Sequence, residues 1–217
     1  TRSCPRITDF QAAVLAWNRP EALSMNYYNY ATNGGFSDVR NQSNILFYQT
    51  GSANVPNITT NTYVPGAIAD HLTSNGGNLF LSDQMSILRW LEAGVTASYG
   101  TVTEPCAYTA KFPQSSVLTK NYFLGNTLVE AYLKSVNMPA QGVFVGDPLA
   151  RPFGTKATLV NGTLTVTTTS LDPEDSYVLS AGPTSDGPFT QLATISVPDY
   201  RFATITVANT DAAFYKL

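Results

Sequence analysis

Charge is what this sequence has least of. Of its 217 residues, 12% are Asp, Glu, Lys or Arg, about half of the ordinary ~25%. The polar surface must therefore be built from Asn, Thr, Ser, Gln and Tyr. Lys and Arg are scattered singly, and the net charge is −3. With no basic cluster, a nucleic-acid footprint and a patch for anionic membranes are both excluded. No apolar run approaches the ~18–20 residues of a membrane-spanning helix. No signal peptide is present, and the chain opens at Thr1 without Met, which reads as a mature or processed fragment. Histidine occurs once, at His71, and cysteine twice, at Cys4 and Cys106. The pair reads either as a disulfide closing a long loop, worth roughly 4–5 kcal/mol in the chain-entropy model, or as two unrelated thiols.

What is present suits the outside of a cell. Three acceptor triplets for N-glycosylation begin at Asn41, Asn57 and Asn161. Hydrophobic residues make up 43% of the chain, enough for a core. The expectation is a secreted or cell-surface protein.

Along the chain, residues 1–39 read as an N-terminal leader segment. Within it, Phe10–Trp17 suits a short helix or strand, and Met25–Tyr30 an exposed aromatic strand or loop. Tyr27, Tyr28 and Tyr30 there are a candidate contact surface for sugar or protein. Residues 40–153 read as an α/β domain. Asn44–Gln49 is a buried-strand run, Gly66–Asp70 a short apolar stretch, and Val95–Val102 a strand of small residues. Asp83–Ala93 is the clearest helix, capped by Ser82 or Asp83 and stopped at Gly94. Thr127–Val136 is a second helix and Gly142–Val145 a third strand. The alternation predicts a parallel sheet with crossover helices. The pattern changes at Phe153-Gly154. Residues 154–217 carry six short β-type runs separated by turn clusters such as Asn161-Gly162, which suggests a small Ig- or fibronectin-like β-sandwich. Leu164, Val166 and Thr168 alternate with Thr163, Thr165 and Thr167, a half-buried strand with a threonine face.

Four segments stand together in the α/β region: PGAIADHLTSNGG over Pro65–Gly77, QMSILRWLEAGVTASYGTVTEP over Gln84–Pro105, GNTLVEAY over Gly125–Tyr132 and VGDPLARPF over Val145–Phe153. In this order they resemble the C-terminal half of a family of secreted bacterial proteins of unknown function, itself similar to the gingipain/caspase peptidase fold. The resemblance covers roughly residues 40–153. It implies a Rossmann-like sheet with a catalytic His loop after one strand and a nucleophilic Cys loop after the next. On this chain the first falls at Tyr48–Ser52, which holds no His, and the second at Asp70–Gly76, which holds no Cys.

Three arrangements of candidate chemistry remain. Cys106 and His71 would make a thiolate–imidazole dyad if within hydrogen-bond reach. Ser74 or Thr73 with His71 and Asp70 would make a triad only if the three converged, whereas loop-stabilising turns account for Asp70 and Ser74 more simply. Glu104, Asp147, Asp70 and Asp83 would offer oxygen ligands to calcium if they met, but no Asp-x-Asp-x-Asp run exists and 6–8 ligands are needed, so no cofactor is expected. Gly76-Gly77 and Gly34-Gly35 lack the Lys-Ser/Thr ending and the spacing of phosphate loops.

The sequence reading is a structural or binding component on a catalytically degenerate peptidase-like scaffold. Its partners would be proteins, the chain itself among them, joined by strand addition between Thr-faced edge strands and a detached N-terminal segment. The alternatives are a secreted cysteine hydrolase using His71 and Cys106, and one processed chain of a two-chain protein.

Overall fold

A computed structural model describes residues 5–80, 83–105, 108–208 and 210–217. The chain divides into two compact units. One comprises Thr1–Asn18, Met25–Tyr122 and Asn126–Pro152, the other Arg19–Ser24, Phe123–Gly125 and Phe153–Leu217. The content is mixed α/β in the first and antiparallel β in the second.

The first unit is built on a four-stranded sheet of β1 (Ile45–Gln49), β2 (Tyr63–Asp70), β3 (Ala97–Thr101) and β4 (Gly142–Gly146), in that spatial order. β1, β2 and β3 are parallel, but β4 runs antiparallel to β3 along Ala97↔Gly146 to Thr101↔Gly142. The expected all-parallel sheet is thus a mixed one.

Helices α1 (Ile7–Ala16), α2 (Leu88–Glu92), α3 (Ser115–Phe123) and α4 (Leu128–Ser135) accompany the sheet in sequence. α4 begins as its sequence suggests, with the Glu130 carboxylate accepting the Thr127 N–H at 2.8 Å. α2 is much shorter than the helix expected over Asp83–Ala93. The residues just before it are committed elsewhere. The Met85 carbonyl lies 2.9 Å from His71 Nε2, the Ile87 N–H donates to the Gly76 carbonyl at 2.9 Å, and Gln84 Oε1 accepts from Thr73 and Asn75. A backbone holding a neighbouring loop cannot also close helical turns. Ser82, one of the two expected caps, lies outside the described residues.

α3 has no local start signal. Its first turn is capped from a distance, because the Ser115 N–H and Oγ both donate to Asp9 Oδ2 at 3.1 Å. Met25–Tyr30 forms loop and turn, with the Asn29 side chain accepting from Ala31 and Thr32.

The glycine pair Gly76-Gly77 serves the packing of this unit. A side chain on Gly77 would stand 2.3 Å from the Gly100 carbonyl oxygen, and one on Gly100 would stand 2.5 Å from Ile87. Two chain segments can therefore touch backbone to backbone, and the Gly77 N–H donates to the Thr101 carbonyl at 2.8 Å.

The second unit contains two three-stranded antiparallel sheets, β5–β6–β9 and β10–β7–β8. Their strands are β5 (Lys156–Val160), β6 (Thr163–Thr168), β7 (Tyr177–Gly182), β8 (Thr190–Ile195), β9 (Ala203–Val207) and β10 (Phe214–Lys216). Residues of both sheets meet in one apolar cluster of Leu164, Val166, Leu171, Leu179, Val197 and Ile205. β6 buries Leu164, Val166 and Thr168 and leaves its other threonines half-buried, as its alternation predicts. β5 and β6 are joined by Asn161 at φ 49° and Gly162 at φ 71°, the left-handed pair that a two-residue type I′ hairpin requires. Among the described residues no helix is long and apolar enough to cross a membrane.

Candidate functional site

In a parallel sheet the carboxyl ends of the strands are where sites form. Here that edge carries Thr50 after β1, Asp70 and His71 at the end of β2, and Thr101 at the end of β3. β1 and β2 lock together beyond their ladder, since the Thr50 N–H donates to the Asp70 carbonyl and the Leu72 N–H to the Ser52 carbonyl, each at 3.1 Å. Thr101 Oγ1 lies 2.7 Å from the carbonyls of both Thr73 and Ser74. The loop after β2 is thus pinned from both neighbouring strands.

His71 is 1% exposed. Trp90 Nε1 lies 3.0 Å from its Nδ1, and the Met85 carbonyl 2.9 Å from its Nε2. The indole N–H only donates and a carbonyl only accepts. Nδ1 must therefore carry the lone pair and Nε2 the proton, so the ring is a neutral imidazole with both nitrogens in use. Burial pushes its pKa below the ordinary 6.5; Arg6 acts in the same direction, and the Met85 carbonyl and Asp70 oppose them. Trp90 is itself fully buried and packs edge-on against Tyr48 at 5.0 Å, in a cluster with Val55, Ile58, Ala69 and Val95.

A consequence is a pH dependence of stability. The folded imidazole resists protonation and the unfolded one does not, so the unfolded state takes up the proton first. Its contribution is complete above pH ~6.5 and declines as pH falls through that value toward the folded pKa. Urea midpoints should drop between pH 7.5 and 5.5, and His71→Gln should remove that part of the drop. An equal drop in the variant would assign the effect to other groups.

Asp70 is 0% exposed and forms an ion pair with Arg6, which is 1% exposed. Gln49 Nε2 donates to the second carboxylate oxygen at 2.8 Å. Arg6 also donates to the carbonyls of Pro113 at 2.8 Å and Thr50 at 3.4 Å, and its guanidinium lies 4.7 Å from the Phe10 ring and 5.7 Å from that of Phe112. The Tyr132 hydroxyl donates to the Ala69 carbonyl at 3.2 Å, and burial drives its pKa well above 10.

The candidate triad is not assembled. Asp70 faces Arg6 and Gln49, His71 faces Trp90 and Met85, and Thr73 bonds Gln84. Ser74 is 1% exposed and accepts from Thr101 through its carbonyl. Neither ring nitrogen of His71 remains to take a proton from a thiol. Cys106 and Cys4 lie outside the described residues, and so does any bridge between them.

The carboxylates considered for calcium do not gather. Asp70 is ion-paired, and Asp147 Oδ1 accepts the Leu149 N–H at 2.9 Å in the turn after β4. Among the described residues no group of three His, Cys, Asp or Glu is placed to hold a metal.

The N-terminal segment is not detached. Arg6 and Asp9 tie the described start of the chain and α1 to their own unit. Tyr28 and Tyr30 are exposed and Tyr27 is half-buried. Asn41 and Asn161 are exposed, whereas Asn57 donates from Nδ2 to the buried Asp38 carboxylate at 2.8 Å.

The residues that the sequence reading missed are Arg6, Gln49, Met85 as a backbone acceptor, and Trp90 as the donor to His71. Trp90 was legible as core but not as a hydrogen-bond partner, and an isolated Arg in a leader carries no pattern at all. Comparison with known proteins adds no guide: no family model, no curated protein and no solved structure matches the chain.

Proposed function

We propose that this chain is a secreted or cell-surface structural or binding protein on a peptidase-like scaffold that lacks working catalytic groups, followed by an Ig/fibronectin-like unit. The observation that carries this reading is the state of the single histidine. A general base needs an available lone pair within reach of the proton that it abstracts. The lone pair of His71 is spent on Trp90, and the ring is 1% exposed. The neighbouring Asp70 is neutralised by Arg6 rather than orienting the imidazole. The charge-poor surface and the three acceptor triplets support an extracellular setting. Unit two supplies the kind of sheet pair used for adhesion or spacing, an argument from fold analogy.

Activity-directed probes test the reading. The full chain is expected to remain unlabelled by fluorophosphonates and by peptidyl acyloxymethyl ketones at equimolar protein. Stoichiometric labelling that His71→Gln abolishes would instead establish a hydrolase, with Cys106 as the first nucleophile to examine.

A further inference from the structure

We infer that the acceptor cluster at the end of β2 is a guanidinium-recognition site, closed in the chain itself by Arg6 on an N-terminal latch, and that the ligand class it fits is an arginine side chain. Three acceptors converge on one guanidinium: the Asp70 carboxylate, the Thr50 carbonyl and the Pro113 carbonyl. Gln49 already holds the other oxygen of Asp70, which leaves Oδ1 directed at the fork. The wall is apolar and aromatic, with Phe112 1% exposed. A planar fork of five donors matches acceptors spread in this way, while a lysine ammonium presents a compact point charge.

The occupant sits on a weakly held element. Of the ten residues of α1 only Ala13 is buried, and Leu15 is 89% exposed. Elements with few buried apolar contacts open at low cost. Arg6 at the N-cap and Asp9 in the first turn anchor the start of α1, and the two lie only three positions apart. Tethering keeps the local concentration of the guanidinium high, so the site stays filled in cis. Opening of the latch exposes a carboxylate and two carbonyls that an arginine from another polypeptide satisfies equally. The site is independent of the non-catalytic reading, since Asp70 and the two carbonyls accept a guanidinium whatever else the chain does.

The test uses the full chain carrying Arg6→Ala. Ethylguanidinium replaces the arginine side chain beyond Cβ, and ethylammonium at equal ionic strength is the control. Thermal unfolding of Arg6→Ala should shift upward and saturably with ethylguanidinium. At ten times the half-saturating concentration the folded-to-unfolded ratio should rise about tenfold. Wild type and the Arg6→Ala/Asp70→Asn double variant should not respond. Equal response to ethylammonium, no response, or a response in wild type would overturn the assignment. If Arg6→Ala does not fold alone, refolding yield takes the place of the midpoint: recovery with ethylguanidinium alone supports the site, and no recovery overturns it. Hydrogen exchange tests the latch on the folded variant, with ethylguanidinium added where folding requires it. Amides of α1 should accelerate relative to wild type by a clearly larger factor than those of β2. Equal acceleration of both would make Arg6 a general core residue and overturn the latch.

Discussion

Replacing Asp70 by Asn should destabilise the protein by about 3–5 kcal/mol, the range for breaking a buried pair and leaving one charge uncompensated. The stranded group is the Arg6 guanidinium, 1% exposed and beyond reach of water. It would keep the Pro113 and Thr50 carbonyls, which are dipoles and cannot neutralise it. Arg6→Met should cost a similar amount by leaving the Asp70 carboxylate with Gln49 alone. The double variant Arg6→Met/Asp70→Asn should lose clearly less than the sum of the single losses, because neither partner is left charged. Chemical denaturation of the four proteins measures the cycle. Additive losses would mean that the two residues do not act as a pair.

Trp90→Ala should cost about 3–5 kcal/mol as a large core truncation. The side chain is fully buried between Tyr48, Val55 and Val95. The informative companion is Trp90→Phe. It keeps most of the volume but leaves His71 Nδ1 without its donor, a loss of about 1–3 kcal/mol for an unsatisfied buried group. It should also leave the Nδ1 lone pair without a partner while the ring stays buried. If Trp90→Phe proved as stable as wild type at pH 7.5, the indole–imidazole bond would contribute nothing, and His71 would be held by packing alone.

The elements that were legible in the sequence are those whose signals are local. The six strands of the second unit each alternate or sit between turn clusters, and Asn161-Gly162 states its own turn type. α4 carries its capping glutamate three positions after Thr127. The rest depended on distant partners. α3 was invisible because its cap, Asp9, is 106 residues away. The helix expected over Asp83–Ala93 was shortened because Gln84, Met85 and Ile87 serve the loop after β2. The direction of β4 could not be read from its composition, because strand direction leaves no periodic trace. At the candidate site the sequence singled out Asp70, His71 and Ser74, and the structure brings all three to the same strand end. Their partners decide their chemistry. Arg6, 64 residues from Asp70, and Trp90, 19 residues from His71, carry no spacing rule that links them.

The only histidine, His71, is a neutral, fully engaged structural group. Nitrogen NMR of the tag-free protein reads it directly, because one imidazole gives one pair of ring signals. The expected spectrum is that of the Nε2–H form, with distinct Nδ1 and Nε2 shifts that hold as pH is lowered through 6.5 while the fold persists. A ring that titrates near 6.5 in the folded protein, with the two nitrogens exchanging between tautomers, would contradict it and return His71 to the list of candidate bases.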